Sequence, residues 1–252
     1  MEKLFSFFIF FAIFSCTPRQ KQQVEQIDPL RNGGRYVVDL DGKKEESIPY
    51  SYIFKNMQTI ILETSEDCLI GGIDELQVFD GFIYVLDKFS AKTLFVFDME
   101  GHFIRKIGSV GNGPGEYIRL KDFTLDTENG FISLLDYGQQ IHKYRLDGTF
   151  IGTVTPKLQD SRIDFIQFYK DRLYLSVSTW EPTPEKLLLL ETEPSDGKIL
   201  SSSIPIEHNM GWAKSFFTGH SFFISRMNAP PLYIHLFMGY IATVEKEITP
   251  YI

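Results

Sequence analysis

Two aspartates, Asp87 and Asp136, each close a short apolar run, Ile83-Tyr84-Val85-Leu86 in one case and Ile132-Ser133-Leu134-Leu135 in the other, and they stand 49 residues apart. Carboxylates at matched strand ends of repeated units project toward one axis, where they can bind a cation or accept hydroxyls from a sugar. The same placement suits a turn cap, in which the carboxylate accepts neighbouring backbone N–H groups. Both readings stay open, with Asp87 and Asp136 as the candidate funnel ligands.

A glycine-rich stretch, Gly108-Ser109-Val110-Gly111-Asn112-Gly113-Pro114-Gly115-Glu116-Tyr117, is the nearest approach to a phosphate cradle. It lacks the Lys-Ser/Thr ending of a P-loop, and Glu116-Tyr117-Ile118-Arg119-Leu120 does not open a helix whose N-terminus could receive an anion. Gly111, Gly113, Pro114, Gly115 and Glu116 are therefore assigned to a structural connection between repeats, where positive φ and close backbone approach call for glycine. The histidines, His102, His142, His208, His220 and His235, show neither His-Glu-x-x-His spacing nor a Cys/His cluster, so no metal is expected. There is no Gly-x-Ser-x-Gly elbow, and no carboxylate spacing singles out a glycosidase pair. No catalytic residue and no cofactor is assigned. Trp180 and Trp212 suit either stacking on a sugar or peptide ligand or packing between repeats.

Cys68, beside Leu69 and Ile70, reads as a small buried hydrophobe. Cys16 is different. Leu4 to Phe14 is apolar apart from Ser6, too short to span a bilayer but suited to a secretory signal, and Lys3 precedes it. Ser15-Cys16 ends the run, and the polar stretch from Thr17 to Gln26 comes next. This resembles a bacterial lipoprotein signal, and the resemblance implies that Cys16 carries lipid as the mature N-terminus; an ordinary cleaved signal or a buried apolar N-terminus is the alternative. A formal net charge of −8 gives phosphate backbones little to bind, and no basic stripe is present, so a nucleic-acid partner is not expected.

The elements that must position these residues repeat. Asp80-Gly81-Phe82-Ile83-Tyr84-Val85-Leu86-Asp87 is echoed by Asn129-Gly130-Phe131-Ile132-Ser133-Leu134-Leu135-Asp136, and a second landmark puts glycines at 101, 148 and 197. Weaker copies of the first landmark begin near Asp171 and Gly219. Aromatic and β-branched runs between Asp-Gly and Asn-Gly turns are the signature of hairpins. Phe82 to Leu86 and Leu94 to Phe97 are predicted inner strands, and Phe103 to Ile107 an outer one. A unit of about 49 residues with two apolar faces must be covered by its neighbours, which favours a β-propeller of four-stranded blades over other all-β architectures.

Ser51-Tyr52-Ile53-Phe54-Lys55, Ile60-Ile61-Leu62-Glu63-Thr64, Leu69-Ile70-Gly71 and the Gly-Pro-Gly-Glu-aromatic loop resemble the six-bladed β-propeller lipoproteins of Bacteroides-type bacteria, with NHL-like repeats. The resemblance implies an envelope protein, anchored by lipid on the periplasmic or surface face of the outer membrane. The domains are read as a signal over 1–16, a polar tether over 17–34, blades over 35–226 and an atypical tail over 227–252. Residues 35–252 hold four to five blades at this repeat length, fewer than six, which reads as a truncated fragment or a smaller propeller. The functional expectation is a binding or scaffold protein for a glycan, peptide, protein or small molecule. A funnel enzyme acting on a glycan or small molecule is the alternative, and a non-functional fragment the third reading.

Overall fold

The computed structural model describes residues 54–179, 187–205, 221–226, 229–235, 241–244 and 249–251, with 30–32, 35–37 and the single residues 49 and 51. The chain divides into two units, Met1–Lys43 and Lys44–Ile252. In the first, β1 (Leu30–Asn32) pairs antiparallel with β2 (Arg35–Val37). Leu30 to Asn32, within the segment read as a polar tether, thus have strand partners in Arg35 to Val37.

In the second unit, Asp80 and Gly81 both take positive φ, 50° and 76°. That is type I′ turn geometry, whose twist matches two antiparallel strands. The turn joins β3 (Glu75–Phe79) to β4 (Phe82–Asp87); β5 (Thr93–Asp98) and β6 (Phe103–Ile107) complete a meander in which each strand pairs with the next. A short parallel pair, β7 (Ser109–Val110) with β8 (Glu116–Tyr117), leads onward. Three further meanders succeed it. They are β9 (Leu120–Asp126), β10 (Phe131–Asp136), β11 (Ile141–Arg145) and β12 (Phe150–Val154); then β13 (Ser161–Tyr169), β14 (Arg172–Thr179), β15 (Leu187–Thr192) and β16 (Ile199–Pro205); then β17 (Ser221–Arg226), β18 (Ala229–His235), β19 (Ile241–Thr243) and β20 (Thr249–Tyr251).

Alternation along each strand decides what each sheet touches. On β4, Tyr84 and Leu86 pack with Ile132, Leu134 and Tyr144 of the second sheet. From the other face of the second sheet, Leu135 and Ile141 meet Ile166, Leu173 and Leu175 of the third. Tyr174 and Leu189 of the third then pack with Tyr233 and Val244 of the fourth, and the Ser176 hydroxyl lies 3.2 Å from the Tyr233 hydroxyl. The remaining face of the first sheet, Ile83, Val85, Phe95 and Phe97, is covered by Cys68 with Ile60, Leu62 and Ile70. Consecutive four-stranded sheets, each covered by its successor, are the blades of a propeller-type all-β fold. Four are present among the described residues.

Residues 227–252 contain β18, β19 and β20, so the segment read as an atypical tail supplies three strands of the fourth sheet. The sequence between these strands lacks the Asp-Gly pairs that mark the earlier repeats, which is why the sequence hides them. The strands predicted as inner, at 82–86 and 94–97, are the second and third of their sheet. The first strand, β3, was missed because it exposes Leu76 and Val78 and half-buries Glu75 and Gln77, the reverse of the usual apolar-in arrangement.

Candidate functional site

The first strands of successive sheets adjoin, and there the side chains turn polar. β13 pairs only with β14, so alternate backbone groups along its other edge need partners. β9 provides them from its side chains: the Ile166 N–H donates to Asp122 Oδ2 at 2.7 Å and the Phe168 N–H to Thr124 Oγ1 at 2.9 Å. Between β3 and β9 the roles reverse, and Gln77 Nε2 donates to the Phe123 carbonyl at 3.3 Å. Side chains thus stand in for a neighbouring strand.

Both β9 and β13 carry one extra residue against their second strand. The register shifts between Leu135 and Asp136 leave Lys121 unpaired, and those between Ile163 and Phe165 leave Asp164 unpaired. Such bulges re-aim a side chain. Here two of opposite charge are aimed at each other: Lys121 Nζ donates to Asp164 Oδ1 at 2.7 Å and also to the Ile163 carbonyl. Arg162 Nε adds a second cation 3.2 Å from Asp164 Oδ1. Burial lowers the Lys121 pKa, and the Asp164 carboxylate only partly opposes this. Asp164 Oδ2 is buried and has no hydrogen-bond partner among the described residues.

Beside this ion pair, burial, followed by the Glu75 charge on β3, pushes the pKa of the buried Asp122 carboxyl well up. Glu75 also accepts from Gln77 Nε2 at 2.8 Å. The strand register puts the starts of the first strands level with the turns after the second strands. These turns form a rim. Phe89 is 65% exposed and Tyr137 44% exposed; the Arg119 guanidinium lies 3.7 Å from the Tyr137 ring centre, and Lys88 Nζ lies 5.9 Å from that of Phe165. The site is therefore an aromatic and cationic rim over a buried polar network.

The sequence-predicted ligands stand elsewhere. Asp87 and Asp136 end second strands, and their oxygens are engaged in the turns beside them and by neighbouring segments. Asp87 Oδ2 accepts the N–H groups of Gly71 and Gly72 at 2.8 and 3.1 Å, and Oδ1 those of Phe89 and Ser90 at 3.2 and 2.8 Å. Burial alone would raise its pKa, but the amides of Gly71, Ser90, Ala91 and Gly72 outweigh that and hold it low. Asp136 Oδ1 accepts the Gln140 N–H at 3.0 Å, and Oδ2 lies 3.3 Å from His142 Nε2. Asp87 is thus engaged by the segment leading into β3 as well as by its own turn, and Asp136 by its own turn and by β11.

The glycine-rich loop joins the first sheet to the second. Glu116 Oε2 accepts the Gly113 N–H at 2.7 Å, and the Gly111 N–H donates to the Tyr117 carbonyl at 3.0 Å. The buried Tyr144 hydroxyl donates to the Gly115 carbonyl at 2.8 Å. Gly115 has φ +74°, and a Cβ there would fall 2.8 Å from the Phe150 ring. Gly111, Gly113, Pro114, Gly115 and Glu116 thus stand in a loop closed on itself and on the second sheet. Cys68 is buried, with Sγ 3.1 Å from Ser65 Oγ. His102 sits on the surface against Asp98, and His142 is buried between Asp136 and Thr153. Cys16, His208, His220, Trp180 and Trp212 lie outside the described residues, and His235 is described only as part of β18. Among the described residues, no group of three or more His, Cys, Asp or Glu could hold a metal ion.

The sequence reading missed Glu75, Lys121, Asp122, Thr124 and Asp164. A signal was present: a charged residue stands five positions before the end of both β9 and β13, Lys121 in one and Asp164 in the other.

A family model described as a domain of unknown function, DUF4934, matches residues 35–252. The chain belongs to this family. Among solved structures, the DUF4934 chain is similar to a Bacteroides fragilis protein described as exported, with 23% identity and a TM-score of 0.62 over 76% of this chain. It is also similar to a member of the DUF4221 family from Bacteroides vulgatus, with 10% identity and a TM-score of 0.53 over 77% of this chain. At these identities the likeness speaks for the propeller-type fold alone. The chain spans 53% of the first structure's length and 62% of the second's. None of the curated proteins matches the DUF4934 chain.

Proposed function

We propose that the chain is an exported binding or scaffold protein of the bacterial envelope, held by lipid on Cys16, which meets its ligand at the rim of Phe89 and Tyr137. The six-bladed lipoprotein type suggested by the sequence resemblance is part of this reading. The apolar run ending at Ser15-Cys16 supports the address, and so does the description of the Bacteroides fragilis relative as exported. The observation that carries the binding role is the rim, with two exposed aromatic rings and the Arg119 and Lys88 cations set over a rigid polar network. Aromatic faces beside hydrogen-bonding cations suit a glycan or a peptide. Acid–base catalysis fits less well, because Lys121, Asp122 and Asp164 are largely buried and bonded to one another or to backbone.

A glycan and peptide array tests the rim directly. The full chain should retain a ligand that the Phe89→Ala/Tyr137→Ala double variant, equally well folded by circular dichroism, releases at least about tenfold more readily, the equivalent of about 1.4 kcal/mol of stacking. Identical retention profiles for the two proteins would remove the rim from the proposal.

A further inference from the structure

Lys88 and Phe89 follow β4 directly, and Tyr137 takes the corresponding place after β10. Each turn joins an exposed ring to a cation. Phe89 is 65% exposed beside the half-buried Lys88, and the 44% exposed Tyr137 carries the Arg119 guanidinium 3.7 Å from its ring centre. The Tyr137 N–H donates to the Arg119 carbonyl at 3.0 Å, which holds these two residues side by side. The two sets are linked through β13 and β9. Lys88 Nζ lies 5.9 Å from the ring centre of Phe165, the neighbour of Asp164; Asp164 binds Lys121, whose Nζ lies 5.8 Å from the Tyr137 ring centre.

The carboxylates at this end of the sheets are engaged elsewhere. Lys121 and Arg162 hold Asp164 Oδ1, Asp122 is buried on the Ile166 amide, and Asp87 accepts the amides of Gly71, Gly72, Phe89 and Ser90. Asp74 Oδ2 accepts the backbone N–H of Lys88 at 2.7 Å, not its ammonium group. Neither Glu75 on β3 nor the exposed Asp160 before β13 is paired with Lys88 or Arg119. Among the described residues, these two cations have no ion-pair partner at all, although the chain carries a formal net charge of −8. The ring beneath Arg119 fixes its place without occupying its N–H groups, which leaves a planar donor set for an incoming anion.

We propose that the ligand of this rim is an acidic glycan, whose sugar rings pack on Phe89 and Tyr137 and whose carboxylate or sulfate groups are bound by Lys88 and Arg119. The inference rests on the rim being a binding surface, and it adds the class and charge of what is bound. A ring with a cation recurs on two successive sheets, which matches a ligand in which a ring with an anion also recurs. An acidic peptide fits less well. Extended peptides are gripped through free backbone groups of a strand edge, and on β13 the Ile166 and Phe168 amides are already taken by Asp122 and Thr124.

The test is an array of uronate-bearing, sialylated and sulfated glycans, each beside its methyl-esterified or desulfated form, with oligoglutamate as the peptide arm. The full chain should retain an acidic glycan at least about tenfold better than its neutral counterpart. Whether that glycan carries carboxylate or sulfate identifies the anion. Lys88→Gln/Arg119→Gln, with unchanged circular dichroism, should lose the preference for the charged form. Equal retention of charged and neutral forms, a preference that survives in this variant, or retention of oligoglutamate alone would overturn the inference. In those cases the rim itself still stands if Phe89→Ala/Tyr137→Ala releases whatever is bound. Retention of nothing on the array would remove both the rim and its acidic ligand. Should the cation variant fail to fold, the paired charged and neutral glycans decide the matter on the native chain alone.

Discussion

Lys121 and Asp164 each stand on a largely apolar strand, and each is tolerated there because the other is 2.7 Å away. Their side chains are only 15% and 5% exposed, so removing one partner strands a charge that water cannot reach. Lys121→Met should cost about 3–5 kcal/mol in urea unfolding, whereas Lys121→Met/Asp164→Leu should recover most of that loss, because a buried pair and a well-packed apolar pair differ little. Equal losses in the single and double variants would show that Arg162 alone supports Asp164. At this scale the sequence was only partly legible. Cys68 as a buried hydrophobe could be read from its apolar neighbours. That Asp87 would turn to the Gly71 and Gly72 amides, while Asp122 would reach the Ile166 amide on another sheet, depends on which strand is first in a blade. No local pattern around either aspartate encodes that.

The segment around Ile60 to Glu63 seals the open face of the first sheet, and it does so by backbone contact at one glycine. Gly101 has φ +91°, and its carbonyl accepts the Glu63 N–H at 2.8 Å; a Cβ would fall 2.1 Å from the Ile61 carbonyl oxygen. Gly101→Ala should therefore destabilise by about 2–4 kcal/mol, combining a disfavoured φ with a clash against backbone that cannot swing aside. Gly72→Ala is the control: nothing lies within 4 Å of its Cβ position, and its midpoint of unfolding should stay close to that of the native chain. The hairpins of the first two blades were legible because Asp80-Gly81 and Asn129-Gly130 announce them. β3 was not, since its alternation is inverted: Glu75 and Gln77 are the half-buried positions and Gln77 bonds to the next sheet, while Leu76 and Val78 are exposed. In the fourth sheet, Ala229-Pro230-Pro231 begins β18 with residues that argue against a strand. Pairing with β17 and β19 overrides that local preference.

Across the whole chain, the repeat near 49 residues correctly announced a row of sheets that cover one another, because no single sheet of this composition can hide both its faces. The address rests on residues at the other end of the sequence. Replacing Cys16 by alanine should move the protein from the membrane fraction to the soluble or periplasmic one, as followed by immunoblot, while its circular dichroism stays that of a β protein. Retention of the alanine variant in membranes would assign anchorage to some other part of the chain.

The amides of Ile166 and Phe168 find their acceptors on Asp122 and Thr124, which belong to the preceding sheet. A blade of this protein is consequently not an interchangeable cassette. Grafted alone into a foreign scaffold, the third sheet would arrive with two bare donors along its innermost edge, ready to recruit any extended peptide that came within reach. A successful transplant would have to carry β9 along with it, or recreate a carboxyl and a hydroxyl two residues apart on the host strand that it meets.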